Sequence, residues 1–355
     1  PDRDGVPLDF VESMPLDVPA VLSLERFTTM QTSRGCPWPC VFCDIPIFNE
    51  GKSRSRSPGH VVDEFKHLQK DGAVFFVDDH FLLQPGRIQA ICKGINDSGI
   101  TIEWGCEGRV DSVCMNLFPA MAKAHCRTLM FGIESGSQKI LDRLKKEQTL
   151  QEIETAVSNA KQAGIKIVHG FFVVGIPDET EDDLRATFRF ASKIRIDSFG
   201  FNRLCVYRGT PLWQEYVSRG LVSDSEDWYK YFKCTSIDPT CLSGEEVHRI
   251  RSEEMRKLIL YKFTHHPAQT FRLLGRFTRH MPLRDVIYLL VKPFVGTKKG
   301  ATKAEVISRA VEHGDMKSAA ADMTQLSDEA LELAIKNSRL ERARIQAEAE
   351  QAAVS

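Results

Sequence analysis

The sequence predicts an α/β fold, namely a partial (β/α)6 TIM-like barrel followed by an all-helical C-terminal region. Nearly continuous apolar segments alternate with amphipathic helical segments, which is the pattern of a parallel sheet covered by helices. About six such units occur before Pro211, and this number favours a partial barrel over a flat doubly wound sheet. After Pro211 the alternation ends and helical patterns follow.

The predicted strands share a run of apolar residues that is bounded by glycine or a carboxylate. We assign strands to 30–35, 73–79, 100–108, 127–136, 165–175 and 198–207. The segments between them have apolar residues at helical spacing and end at glycine or a polar residue. We assign helices to 61–72, 87–99, 117–126, 150–164 and 179–194.

Four regions are expected along the chain. They are a Pro- and Asp-rich linker at 1–28, the barrel at 29–212, a helical domain at 213–300 and a charged helical tail at 301–355. Ser243 to Glu246 has the spacing of a capping box, which predicts that a long helix begins there. We expect the helical domain to close the substrate side of the barrel.

The composition excludes several classes of protein. With 355 residues, 42% hydrophobic and 27% charged, the chain is globular rather than disordered. Its formal net charge of -1 argues against a whole-protein nucleic-acid binder. The longest apolar patch, Val286 to Val291, is too short to span a bilayer. No signal peptide is recognisable, and ten cysteines without one favour cytosolic thiols, so we expect a cytoplasmic protein.

Three of the cysteines form a compact motif. Cys36, Cys40 and Cys43 give the spacing C-x3-C-x2-C within RGCPWPCVFCDIP. Three thiolates on one loop can hold three irons of a [4Fe-4S] cluster and leave the fourth iron open to a ligand, whereas structural zinc takes four ligands. A zinc site and three unrelated core cysteines are the alternatives. The other seven cysteines are predicted to be buried and to pack as small hydrophobic side chains.

This loop resembles that of radical S-adenosylmethionine (SAM) enzymes, in which an aromatic residue such as Phe42 precedes the last cysteine. The resemblance implies that the cluster binds SAM and cleaves it reductively to a 5′-deoxyadenosyl radical. It also implies that SAM lies at the carboxyl ends of the barrel strands, where barrel sites gather. The protein's share is then to position and shield the reacting groups.

Two motifs after the second and third predicted strands extend the resemblance. Asp78 and Asp79 in VDDHF stand where the family binds the SAM amino group, and the alternative is a pair of helix caps. Glu107 and Arg109 in EGRVD resemble positions that contact the ribose and the methionine carboxylate. For this second pair, a salt bridge within the barrel is the alternative.

The fourth predicted strand ends in FGIESGS, where Glu134 and Ser135 resemble the ribose-binding positions of the family. Lys146 is a candidate carboxylate partner, and a solvated helix face is its alternative.

Val174, Gly175 and Ile176 in VVGIPDET resemble the strand whose backbone pairs with adenine. Gly175 permits a close approach there, and an ordinary turn is the alternative.

The motifs RGCPWPC, VDDHF, GRVD, GIESGS, GIPDET and RGTPL together resemble the subfamily that usually carries an N-terminal cobalamin-binding domain. Residues 1–28 resemble the linker that follows such a domain. The chain has no D-x-H-x-x-G cobalamin signature. Either a cobalamin domain precedes the linker, or this member works without cobalamin.

The C-terminal third resembles that of anaerobic magnesium-protoporphyrin IX monomethyl ester cyclases and of hopanoid- and lipid-modifying relatives. We therefore expect oxidative cyclisation or C-methylation of a large apolar substrate, either a tetrapyrrole or a polyisoprenoid lipid. The alternatives are a cobalamin-dependent methyltransferase of another natural product and an Fe-S electron-transfer or redox-sensing protein.

Three statements about partners follow. The resemblance implies a flavodoxin- or ferredoxin-type reductant. Residues 251–299 are both basic and apolar, which predicts contact with an anionic membrane surface or with an anionic apolar substrate. The alternative for this segment is core-facing helices with solvated Lys and Arg. No nucleic-acid partner is expected.

Overall fold

The computed structural model describes residues 28–68, 72–110, 116–223 and 242–278, all within one compact unit. The predicted linker, the charged tail and the end of the basic segment lie outside these residues. The domain boundaries therefore stay predictions. None of the described helices is both long and apolar enough to cross a membrane.

A six-stranded parallel sheet forms the centre of the fold. Its strands are β1 (Thr28–Met30), β4 (Ala73–Phe76), β5 (Glu103–Gly108), β6 (Cys126–Glu134), β7 (Ile167–Val174) and β8 (Ser198–Arg203), and they neighbour one another in this order. Each strand of this sheet pairs with the strand of the same sheet that follows it along the chain, as in a singly wound barrel. No pairing closes β1 onto β8 among the described strands, so the predicted partial barrel is confirmed.

A second, two-stranded sheet brackets the cysteine loop. It consists of β2 (Ser33–Arg34) and β3 (Arg54–Ser55), which pair antiparallel. The strand predicted over 30–35 is thus divided between two sheets. The break follows from Thr32 and Ser33, whose side chains bond to Asp78.

Helices cover one face of the central sheet. They are α1 (Ile45–Phe48), α2 (Pro58–His67), α3 (Pro85–Asp97), α4 (Phe118–Lys123), α5 (Gln138–Arg143), α6 (Leu150–Gln162), α7 (Glu181–Lys193), α8 (Pro211–Ser218), α9 (Gly244–His265) and α10 (Pro267–Thr278), with a short 3-10 helix at Phe81–Leu83. Capping boxes begin α6, α7 and α9, because a Thr or Ser and an acidic residue three positions later exchange hydrogen bonds.

The side chains of each strand alternate between two faces. On β7, Val168, Phe172 and Val174 belong to the core shared with the helices. His169, Phe171 and Val173 therefore point to the opposite, concave face. This alternation separates the residues that hold the fold together from those that line the barrel.

Helix α9 packs along α7, and its first turn lies beside Arg203 at the carboxyl end of β8. Val247, Ile250 and Leu258 are buried, and Arg185 of α7 forms an ion pair with Glu254. The expected closure of the substrate side stays a prediction, because much of 213–300 lies outside the described residues. The apolar stripe of α9 covers the helix layer, as the core-facing alternative predicted.

Candidate active site at the carboxyl ends of the strands

The cysteine loop is fastened to the barrel on two sides through Val41. Its N–H donates to the carbonyl of Leu144 (3.1 Å), and its carbonyl accepts from the N–H of Leu212 (3.0 Å). Cys40 is buried, while Cys36 and Cys43 are half-buried. The loop therefore has a defined position without requiring a bound group.

Two of the three thiols in this loop have raised pKa values. Burial raises the pKa of Cys43 to about 11 and raises that of Cys36, and the charge of Cys40 adds to both increases. Protonated thiols lose their protons when a metal binds, so metal binding at this loop releases protons. The donor set suits an Fe-S cluster, whose protein ligands are cysteine thiolates.

A single shared ion fits this loop less well. Tetrahedral zinc with Zn–S bonds of about 2.3 Å requires sulfur atoms less than about 4 Å apart. Within the part of the chain that the structure describes, no three His, Cys, Asp or Glu side chains come close enough to hold one ion. Cysteines that bind three different irons of a cluster need no such convergence.

Asp78 and Asp79 fix the segment that leads into the cysteine loop. Asp78 is only 3% exposed; it accepts hydrogen bonds from the Thr32 N–H, the Thr32 hydroxyl and the Ser33 hydroxyl. Asp79 is exposed and accepts from the Gly35 N–H (2.6 Å). Both oxygens of Asp78 thus hold the segment before the cysteine loop in position, and its contact with the SAM amino group stays a prediction.

Arg109 and Glu107 are not paired with each other among the described residues. Arg109 is buried and donates to the Cys40 sulfur (3.3 Å) and to the carbonyl of Lys146, while its guanidinium lies 4.1 Å from the ring centre of Trp38. The Glu107 carboxylate has no hydrogen-bonding partner among the described residues, and burial raises its pKa. An unpartnered, half-buried carboxylate at a strand end is available to a polar ligand.

Glu134 and Lys146 form a buried ion pair with a Nζ–Oε1 distance of 2.7 Å. A Cβ on Gly132 would lie 2.6 Å from the Glu134 carboxylate, so glycine there makes room for the pair. Lys146 follows α5 in a loop and is 5% exposed, so the solvated helix face is wrong. The charge of Lys146 is buried together with the opposite charge of Glu134, as the burial of a charge requires.

The Ser135 hydroxyl is bonded within the protein, and its expected contact with ribose stays a prediction. Its hydroxyl bonds to the Thr187 hydroxyl of α7 (3.0 Å) and accepts from the Ser137 N–H (3.1 Å). A Cβ on Gly136 would lie 2.7 Å from the Thr187 Cα. These contacts give Ser135 the role of fastening the end of β6 to α7.

The turn after β7 is held by a residue that the sequence analysis did not single out. Glu179 is fully buried, and its Oε2 accepts from the N–H groups of Gly175 (2.8 Å) and Ile176 (3.3 Å). Gly175 has a φ of +79°, and the carbonyl of Val174 accepts from the Leu204 N–H. The two amides are therefore already engaged, and the turn is preformed. The carboxylate of Glu179 within the GIPDET motif is the sequence feature that could have identified this residue.

Burial raises the pKa of Glu179 to about 7, against the opposing effect of its two N–H donors. The folded state thus binds this proton more tightly than the unfolded state, whose pKa is near 4.5. The contribution to stability is complete below about pH 4.5 and is lost as the pH rises through about 7. We expect Glu179→Gln in the cluster-free protein to lose less stability than wild type between pH 5 and pH 8. Urea unfolding at both values measures this, and parallel pH dependences would contradict it.

Phe42 and His169 complete the site. Phe42 is half-buried and, like Val173, packs against a small cluster that includes Val41 and Ile176. His169, a second residue that the sequence analysis missed, is 4% exposed and its Nδ1 bonds to the Ser198 hydroxyl (2.8 Å). Burial lowers the pKa of His169 to about 4, so the ring is neutral. Its Nε2 has no partner within the described residues.

Comparisons with known proteins agree with this geometry. Residues 30–191 match the family model of the radical SAM superfamily. A methyltransferase of Pyrococcus horikoshii, itself uncharacterized, is 33% identical over 72% of this chain and 54% of its own length. The anaerobic magnesium-protoporphyrin IX monomethyl ester cyclase of Rubrivivax gelatinosus is 28% identical over 68% of this chain and 44% of its own length.

Two further similarities cover smaller shares. The hopanoid C-2 methylase of Rhodopseudomonas palustris is 26% identical over 55% of this chain and 39% of its own length. The structure of the radical SAM methyltransferase TsrM from Kitasatospora setae aligns with a TM-score of 0.52 at 18% identity, over 57% of this chain and 42% of that one. This structural likeness shows the fold. The chain spans about half the length of the first curated relatives it matches.

Proposed function

Because residues 30–191 are a radical SAM domain, we propose that this chain is the catalytic core of an enzyme that modifies a large apolar substrate by C-methylation or oxidative cyclisation. One observation carries the proposal. A fastened loop presents Cys36, Cys40 and Cys43 at the carboxyl ends of the strands, beside the buried pair of Glu134 and Lys146. A cluster-binding loop next to fixed polar groups suits a cofactor that has both charged and neutral parts.

Different residues of the site would bind the cluster and SAM. Cys36, Cys40 and Cys43 would hold the [4Fe-4S] cluster, which supplies the electron for cleavage of SAM. Glu107, which has no partner of its own among the described residues, is suited to accept a hydrogen bond from a ribose hydroxyl or from the SAM ammonium. The Glu134 carboxylate, held by Lys146, is suited to a ribose hydroxyl.

The concave face supports an apolar substrate. Phe171 and Val173 of β7 point away from the helix layer and are half-buried, and Val77 after β4 is 42% exposed. Relatives named for a tetrapyrrole cyclase and for a hopanoid methylase are consistent with such a substrate. We therefore propose a tetrapyrrole or a polyisoprenoid lipid, and as the alternative another natural product methylated with the help of cobalamin.

The test is anaerobic reconstitution of the full chain with iron and sulfide, followed by reduction and addition of SAM. We expect retained iron and sulfide and formation of 5′-deoxyadenosine. A flavodoxin or a ferredoxin should replace the chemical reductant. S-adenosylhomocysteine formed only with added cobalamin would assign C-methylation, and its absence with turnover of magnesium-protoporphyrin monomethyl ester would assign cyclisation. A retained cluster without SAM cleavage would indicate an electron carrier and overturn the proposal.

A further inference from the structure

The three cysteine sulfurs receive different hydrogen-bond donors. Cys36 accepts from the backbone amide of Trp38, and Cys43 accepts from that of Ile45, in both cases two residues further along the chain. Cys40 accepts instead from the guanidinium of Arg109. One sulfur of the set is therefore bonded to a full positive charge and the other two to neutral amides.

From this asymmetry we propose that Arg109 sets the reduction potential of the cluster through its charged hydrogen bond to the Cys40 sulfur. The inference rests on the proposed function, since it requires a cluster on Cys36, Cys40 and Cys43. It assigns Arg109 an action on the cluster, in addition to any contact with the methionine carboxylate of SAM.

The guanidinium is held in place on three sides. One Nη donates to the sulfur at 3.3 Å and the other to the carbonyl of Lys146, while the ring of Trp38 lies against its face at 4.1 Å. Trp38 belongs to the cysteine loop, and Lys146 belongs to the buried ion pair. A planar fork fixed at both nitrogens keeps its direction, which an ammonium on a flexible stem does not.

The sign of the effect follows from charge. Reduction adds one electron to the cluster and its sulfur ligands. A positive N–H donor at a sulfur therefore stabilises the reduced form more than the oxidised form, and hydrogen bonds to sulfur are among the known determinants of cluster potential. Arg109 is only 6% exposed, so solvent screens this interaction little. The wild-type potential should thus be more positive than that of a variant without the donor.

The experiment is a spectroscopic redox titration of the reconstituted full chain without SAM, for wild type, Arg109→Lys, Arg109→Gln and Arg109→Met. We expect the potential to fall in every variant, most in Arg109→Met, which has neither charge nor donor. Lysine keeps the charge without the fork and glutamine keeps a neutral donor, so both should lie between. Because SAM is absent, a role confined to its carboxylate predicts no shift.

Arg127→Met is the matched control. It removes the same charge from the amino-terminal end of β6, which is the opposite end of the strand from the cysteine loop. Arg127 pairs there with Glu103. Iron and sulfide contents are measured for every variant. An unchanged potential in Arg109 variants that keep the cluster would overturn the inference, as would an equal shift in Arg127→Met. Loss of the cluster from all three variants would also overturn it, because Arg109 would then be needed for assembly. If wild type itself retains no cluster or cleaves no SAM, the proposed function fails instead.

Discussion

Replacing Cys40 with alanine should abolish SAM cleavage and leave the barrel folded. The loss follows because a cluster that needs three thiolates keeps only two. The fold should persist because the backbone of Val41 fastens the loop on two sides, whereas the Cys40 side chain adds a single hydrogen bond from Arg109. We expect iron content to fall far below that of wild type after identical reconstitution, with no measurable 5′-deoxyadenosine. The free energy of unfolding of the cluster-free protein should change by only about 1 kcal/mol.

Cys205→Ala is the matched control for this prediction. Cys205 is also a half-buried cysteine close to the carboxyl end of a strand, but it lies outside the motif. The control should keep both iron and cleavage. SAM cleavage by the Cys40→Ala protein would refute the ligand assignment, and equal losses in both variants would point to a general effect of removing thiols.

Glu134→Ala should be the most destabilising single change at the site. The substitution leaves the Lys146 ammonium buried at 5% exposure without its carboxylate, and breaking a buried pair in this way costs about 3 to 5 kcal/mol. Denaturant unfolding of the cluster-free protein measures this loss. SAM binding should weaken by a further hydrogen bond, about 1 to 3 kcal/mol or roughly 5- to 150-fold in affinity.

The double variant Glu134→Ala with Lys146→Met separates the two effects. With both charges removed, most of the stability should return, because no unpaired ion remains in the interior. The loss of SAM affinity should persist, since the carboxylate is still absent. A double variant that binds SAM as tightly as wild type would remove Glu134 from the binding site and leave the pair a purely structural role.

Several site residues were predictable because they are local in sequence. The spacing of Cys36, Cys40 and Cys43 is a property of one short loop, and the position of Glu134 follows from the end of a strongly apolar strand. The partners of these residues were not predictable in the same way. For Lys146 the sequence left two possibilities open, a carboxylate partner and a solvated helix face, and only the structure shows the buried pair with Glu134.

Asp78 and Ser135 show the same limit from the other direction. Each stands in a motif at a strand end, as expected, but their oxygens are engaged by Thr32, Ser33 and Thr187. Those partners are 45 to 52 positions away in the chain. The local sequence does not indicate which of two nearby polar groups will form a hydrogen bond with a buried carboxylate or hydroxyl.

The sequence by itself determined the fold class and the C-x3-C-x2-C loop from which a cluster site is predicted. These follow from hydrophobic periodicity and from residue spacing, both of which act over a few residues. Only the tertiary structure decided which polar groups are satisfied within the protein and which, such as Glu107, have no partner among the described residues. The physical reason is that buried polar atoms must find partners, and in a parallel barrel those partners come from neighbouring strands and helices that are distant in sequence.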